Sequence, residues 1–183
     1  ARQSLASLLK DRKELDEAET LMREVVSGLR RVLGEGDLRT LRAIEVLGQI
    51  HLARGRIDDA ERLLLEVCEG RRRILGEEHP ETLPSTLAVA QVLLRRERFA
   101  QAEAEYQALL PRLRRALGPG HLMTRKGLQD LALAQLQQGK LADAEATYRE
   151  LAVSTGQELG ARHQTTLEAA HTAAHLMLRQ GKL

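Results

Sequence analysis

The sequence predicts an all-α solenoid of antiparallel helix pairs. Three observations carry that reading: a strict internal period, helical spacing of the apolar residues within each period, and a core palette almost without aromatics. The period shows first in the dipeptide Leu-Gly, at Leu33-Gly34, Leu75-Gly76, Leu117-Gly118 and Leu159-Gly160, each 42 residues after the last. Ala18-Glu19, Ala60-Glu61, Ala102-Glu103 and Ala144-Glu145 keep the same step, and so do Thr40, Thr82, Thr124 and Thr166. An apolar column of Leu15, Ile57, Phe99, Leu141 and Leu183 carries the array to both ends without insertion or deletion. Columns held in register mark a repeat architecture, whose units cannot bury an apolar face alone and must stack on their neighbours.

Inside one period, Leu41, Ile44, Leu47 and Ile50 form one stripe at helical spacing, and Ile57, Ala60, Leu64, Val67 and Ile74 form a second. Each repeat is therefore read as two amphipathic helices. Gly55, Gly139 and Gly181 separate the first helix from the second, while Lys13 and Glu97 hold the equivalent places without glycine. Leu-Gly closes the second helix. The clusters Arg30-Arg31, Arg71-Arg72-Arg73 and Arg112, Arg114, Arg115 precede that closure, where cations complement the negative helix end; a phosphate-binding surface is the alternative.

Small residues recur on the first helix at Ala6, Gly48, Ala90, Ala132 and Ala174, and on the second at Ala18, Ala60, Ala102 and Ala144. Facing one another, they would let paired backbones approach closely. Pro84 and Pro111 fall inside expected helices, predicting a late start or bend at the first and a kink at the second. The array over 1–183 divides into units 1–37, 38–79, 80–121, 122–163 and 164–183, about nine helices in all. It reads as a segment of a longer protein, with uncovered end faces available for self-association.

Composition bounds the function. The hydrophobic fraction of 43% suffices for a core, and with aromatics at 2% that core must be aliphatic. The 28 basic and 26 acidic residues nearly cancel, so nucleic acid and anionic membrane are not expected partners. Cys68 stands alone, which excludes an internal disulfide and suits a reducing cytoplasm. No apolar run approaches the roughly 20 residues of a membrane span, and the first 15 residues show no signal-peptide core. Arginine far outnumbers lysine and asparagine is absent, a bias that suggests GC-rich, actinobacterial-like coding.

Several residues invite chemistry. His79, His121 and His163 share the period, with Asp37 in the equivalent earlier place. Equivalent residues of stacked helix pairs lie about 10 Å apart or more, whereas zinc ligands sit about 2 Å from their ion. These histidines are therefore assigned to helix entry, His79 preceding Pro80 at a first helical position. His171 and His175 share one helical face with Glu168 a turn earlier, the basis of an alternative reading as a metal-dependent or enzymatic unit. Cys68 and His51, the latter at the place of Leu9, Leu93 and Met177, are read as packing residues. No GxxxxGK[ST] loop, HExxH motif or catalytic triad is present, so neither an enzyme nor a cofactor is expected.

GRIDDAERLLLEV at 55–67 and GKLADAEATYREL at 139–151 resemble the turn and second helix of the tetratricopeptide repeat. LGEEHPETL at 75–83 resembles the longer inter-repeat segment of the kinesin light chain type, whose repeats span 42 residues. The resemblance covers essentially the whole chain. It implies a right-handed superhelix that binds a protein or peptide, as in cargo-binding kinesin light chains and in bacterial proteins where such arrays are the sensor region beside a nucleotide-binding switch. By this analogy the first helices line a concave groove. Its residues would be Arg42, Glu45, Gln49 and Ala53; Leu87, Gln91 and Arg95; Lys126, Gln129, Leu133 and Gln137; and Glu168, His171, His175 and Arg179. The asparagines that follow the first-helix leucine in kinesin light chains are replaced by Glu45-Val46, Leu87-Ala88, Gln129-Asp130 and His171-Thr172, so their ligands do not carry over.

Overall fold

A computed structural model describes residues 12–181, and these form eight α-helices with no strand among them. They are α1 (Arg12–Leu33), α2 (Leu38–Ala53), α3 (Ile57–Leu75), α4 (Thr82–Arg95), α5 (Phe99–Leu117), α6 (Leu122–Gln137), α7 (Leu141–Leu159) and α8 (Gln164–Arg179). The first helix expected over 1–12 lies, apart from Arg12, outside the described residues; Arg12 and Lys13, the latter expected at a turn, instead belong to the first turn of α1, which starts three residues earlier than the period implies. Two compact units are formed, Ala1–Glu77 and Glu78–Leu183. In the first, α1 packs on α2 and α2 on α3. In the second, each helix from α4 to α8 packs on the next, and α4 also touches α6.

The period written in the sequence reappears in the helix ends. α3, α5 and α7 each run 19 residues, and α2, α6 and α8 each run 16. The 19-residue helices close on backbone that suits glycine, with φ of +87° at Gly76, +95° at Gly118 and +97° at Gly160. Glu97 occupies the other turn with φ of +59°, the sole non-glycine at positive φ among the described residues.

The start of α4 departs from the pattern. It begins at Thr82 and runs 14 residues, so Pro80 precedes the helix and does not open it. The carbonyl of His79 accepts from Thr82 N at 2.8 Å and Leu83 N at 3.3 Å, a tight turn that uses up two residues. The late start places Pro84 third in the helix, where a backbone donor has no partner to lose. α5 passes through Pro111 as one helix.

The helix-entry histidines cap their helices with their side chains. His121 Nδ1 accepts from Met123 N at 3.2 Å, His163 Nδ1 from Thr165 N at 3.3 Å, and Asp37 Oδ1 from Arg39 N at 2.8 Å. His79 Nδ1 accepts from Glu81 N at 3.1 Å in the corresponding turn. Thr124 and Thr166, both buried, donate to the carbonyls of Gly118 and Gly160 and close the inter-repeat loops.

Each unit holds its own core. In the first, Leu41, Ile44, Leu47, Leu63 and Val67 pack with Val26; in the second, Leu83, Leu87, Tyr106, Leu110, Leu113 and Leu128 are at the centre. Ile74 is exposed, contrary to its expected place in the second-helix stripe. The stripe ends instead on Arg71, which is 3% exposed. Its guanidinium forks onto Glu45, Nη1 to Oε1 at 3.0 Å and Nη2 to Oε2 at 2.7 Å, and that pairing makes its burial tolerable. Cys68 is buried as read.

Gly48, Ala60, Ala90, Ala102, Ala132 and Ala144 are all buried, as the facing arrangement requires. A Cβ on Gly48 would stand 3.0 Å from the Leu64 side chain of α3, so the backbone there is close. Ala174 is exposed, because no second helix covers it among the described residues. Ala6, at the other end, lies outside them.

The Ala-Glu column has a role beyond the alanine. Glu19, Glu103 and Glu145 are each buried, and each reaches the end of the next first helix. Glu19 pairs with Arg54 and Arg56. Glu103 accepts from Gln138 Nε2 at 2.8 Å and Lys140 Nζ at 2.5 Å, and Glu145 from Gln180 Nε2 at 3.4 Å. Burial works to raise the Glu19 and Glu103 pKa values, but the hydrogen bonds and positive charges prevail and hold both below the ordinary 4.5.

Two predictions follow from this packing. Ala60→Leu should overpack the contact between α2 and α3 and cost about 1–3 kcal/mol, read as a lower Tm; an unchanged Tm would place Ala60 elsewhere. A carboxylate with a depressed folded pKa contributes stability that is complete above its unfolded pKa and is lost as pH falls through the folded value. Glu103→Gln should therefore melt earlier than the parent at pH 7, with the gap closing on acidification below about 4.5; thermal melts across that range read the difference.

Candidate peptide-binding groove

The residues assigned to a groove sit on α2, α4, α6 and α8, and the structure sorts them by what they touch. On α2, Gln49 and Ala53 are exposed and Arg42 is partly so, while Glu45 is held by Arg71. Leu87 drops out of the surface: it is 7% exposed and packs in the core of the second unit. Its position, three residues before Ala90 and four after Leu83, puts it on the buried stripe of α4.

The other groove residues of the second unit remain accessible. Arg95, Lys126, Gln129, Leu133 and Gln137 are exposed, as are Glu168, His171, His175 and Arg179 on α8, and Gln91 is half-buried. Gln91, Lys126 and their surroundings converge on a residue outside the predicted set, Asp130. Its carboxylate is 6% exposed and accepts from Gln91 Nε2 at 3.1 Å, Tyr106 Oη at 3.3 Å and Lys126 Nζ at 2.9 Å. Three helices thus meet on one carboxylate: α4 through Gln91, α5 through Tyr106, and α6 through Lys126 and Asp130 itself. Burial, with the Asp130 charge beside it, pushes the Tyr106 hydroxyl far above its usual range, so it stays protonated and donates to Asp130.

A signal for Asp130 existed in the sequence. Its repeat column reads Val46, Ala88, Asp130 and Thr172, so a lone charge replaces small or apolar residues, with Lys126 one helical turn before it. Such a carboxylate has to find partners on the packed face. Glu45 likewise belongs as much to the ion pair with Arg71 as to the surface.

His171 and His175 are both exposed on α8. Glu168 accepts from Gln164 Nε2 at 2.7 Å, and among the described residues no three His, Cys, Asp or Glu side chains gather as a metal site. No described helix is long and apolar enough to cross a membrane.

Models of the tetratricopeptide repeat match residues 1–38, 40–81 and 81–152, most of the chain. The chain belongs to the tetratricopeptide repeat family. Tetratricopeptide repeats are in general protein–protein interaction scaffolds, a non-catalytic type of fold. Among solved structures, a Podosopora anserina protein named as a kinesin light chain, with nearly identical TPR-like repeats, superposes at a TM-score of 0.82 and 21% identity. That match spans 98% of this chain and 85% of that one. A variant of the same protein gives a TM-score of 0.83 at 21% identity, over 98% and 84%. BtubC (BKLC) from P. vanneervenii gives 0.71 at 19% identity, over 91% and 66%. These likenesses place the fold with tetratricopeptide solenoids of the kinesin light chain kind. No curated protein sequence matches the chain.

Asp130→Asn should weaken the junction of α4, α5 and α6 by on the order of 1–3 kcal/mol, since the charge that accepts three donors is removed. Urea unfolding of the variant measures it, and Tyr106→Phe should cost less than Asp130→Asn.

Proposed function

We propose that this tetratricopeptide array holds a peptide segment of another protein across its first helices, as the recognition part of a larger regulatory or sensor protein. The observation that carries this reading is the combination on α4 and α6. Exposed Arg95, Lys126 and Gln129 offer charge and hydrogen bonds, and exposed Leu133 adds an apolar contact. The buried Asp130 network beneath ties the two helices together. A rigid platform with polar donors around an apolar spot suits an extended peptide, whose backbone carbonyls need donors and whose side chains need a place to bury. Gln91 contributes by orienting this platform, since its amide is engaged with Asp130. The lone, buried Cys68 supports a reducing, cytoplasmic setting.

Selection of binders from a displayed peptide library, followed by titration calorimetry, tests the reading. Arg95→Ala and Gln129→Ala should each weaken a selected peptide by about tenfold, while Glu105→Ala, on the exposed side of α5, should leave its affinity unchanged. Equal affinity for all three variants would place the peptide elsewhere.

A further inference from the structure

The first unit contains a cleft that the groove does not use. It lies between the second helices α1 and α3, has α2 as its floor, and encloses about 310 Å³. Val26, Leu47 and Leu63 give it apolar walls, and Arg23, Arg30 and Arg62 bring three guanidinium groups to it against one lining carboxylate, Asp59. On α2, Leu47 and His51 point away from the side that carries Arg42, Glu45 and Gln49, because a helix turns by about 100° per residue. The cleft is therefore independent of the peptide groove.

Two atoms here lack a partner. His51 is 3% exposed, and its Nδ1 is enclosed with no hydrogen bond; the nearest acid, Asp59 Oδ2, is 3.6 Å away, beyond bonding distance. Burial, reinforced by the charge of Arg56, keeps the imidazole below its ordinary pKa range, so it is a neutral ring able to donate one hydrogen bond. Arg30 spends its Nη2 on Glu66 at 2.5 Å, but its Nε is enclosed and unpaired. Arg23 shares Glu19 with Arg54 and Arg56, three cations on one carboxylate. Arg62 meets Asp59 only at 3.6 Å.

Arg30 belongs to a repeat column with Arg72 and Arg114, and its pairing with Glu66 recurs as Arg114 with Glu150, but His51 and Arg62 near it do not repeat. One and two periods on, His51 becomes Leu93 and Gln135, Arg62 becomes Ala104 and Ala146, and Arg23 becomes Leu65 and Gln107. Buried polar atoms without partners, beneath a ring of forked cations, are suited to an acceptor-rich anion, and the apolar walls to a hydrophobic stem carrying it.

We propose that this cleft is a second recognition site, which takes a phosphate monoester on an apolar stem, as a phosphorylated side chain of a partner protein presents. The volume fits one side chain. Guanidinium forks from Arg30 and Arg62 hold the phosphate oxygens, and His51 at the floor supplies a further donor.

Phenyl phosphate is the probe, added to the intact chain and followed in amide ¹H–¹⁵N spectra, with inorganic phosphate and benzoate as separate arms. The expected result is a saturable shift of α1, α2 and α3 resonances by phenyl phosphate, about tenfold tighter than either comparison anion. Arg62→Ala, a mostly exposed side chain, and His51→Leu, the residue that Leu93 supplies one repeat on, should each abolish saturation while thermal melts stay cooperative. Absence of saturation in the parent chain, an equal response to inorganic phosphate or benzoate, or unchanged binding in both variants would overturn the proposal.

Discussion

The stacking of this array turns on a carboxylate buried where one repeat meets the next. An aliphatic seam holds helices together by close packing, but its contacts are indifferent to which polar groups lie opposite. A buried carboxylate is not indifferent: taken out of water, it must meet donors at fixed positions or be strongly destabilising. Glu19 and Glu103 meet theirs at the junction between a first helix and its successor, through Arg54 and Arg56 in one unit and Gln138 and Lys140 in the other. The adjacent alanine lets the helices come close enough for that reach, so the dipeptide works as one device. The same logic holds the rest of the seam: threonines closing loops, histidines and Asp37 capping helix starts, and Arg71 buried only because Glu45 receives it.

Architecture was legible because it is periodic. Apolar spacing gave the helices, and columns such as Leu117-Gly118 and Ala102-Glu103 gave their limits and their stacking. What resisted was local. Hydropathy puts Ile74 inside and Arg71 at a helix end, since it cannot reveal that the Arg71 guanidinium meets the Glu45 carboxylate of another helix. Pro80 sits where α2 and α6 open, yet its neighbour His79 takes two residues into a turn first, an effect that depends on hydrogen bonds invisible in the column.

The groove was less legible than the scaffold for a related reason. The residues assigned to the groove fall in the same columns of each first helix, but Leu87, in the column of Glu45, Gln129 and His171, is apolar and buried in the core. Asp130 was readable only as an anomaly in its column, and its three partners come from three helices. Single positions on a surface gain meaning from neighbours in space, and a repeat pattern supplies only neighbours along the chain. The cleft over His51 illustrates the converse. His51 breaks its column, and so does Arg62 beside it, which is what sets this repeat apart from the others.

Asp130 stands between surface and core, and this gives recognition a mechanical side. Lys126 is the most exposed of its three donors. If a peptide is held as proposed, one that drew the ammonium group to itself would compete with Asp130 for it, at the joint of α4, α5 and α6. On that reading occupancy and stiffness in the second unit would be linked, and by reciprocity a stiffer junction would hold the peptide differently.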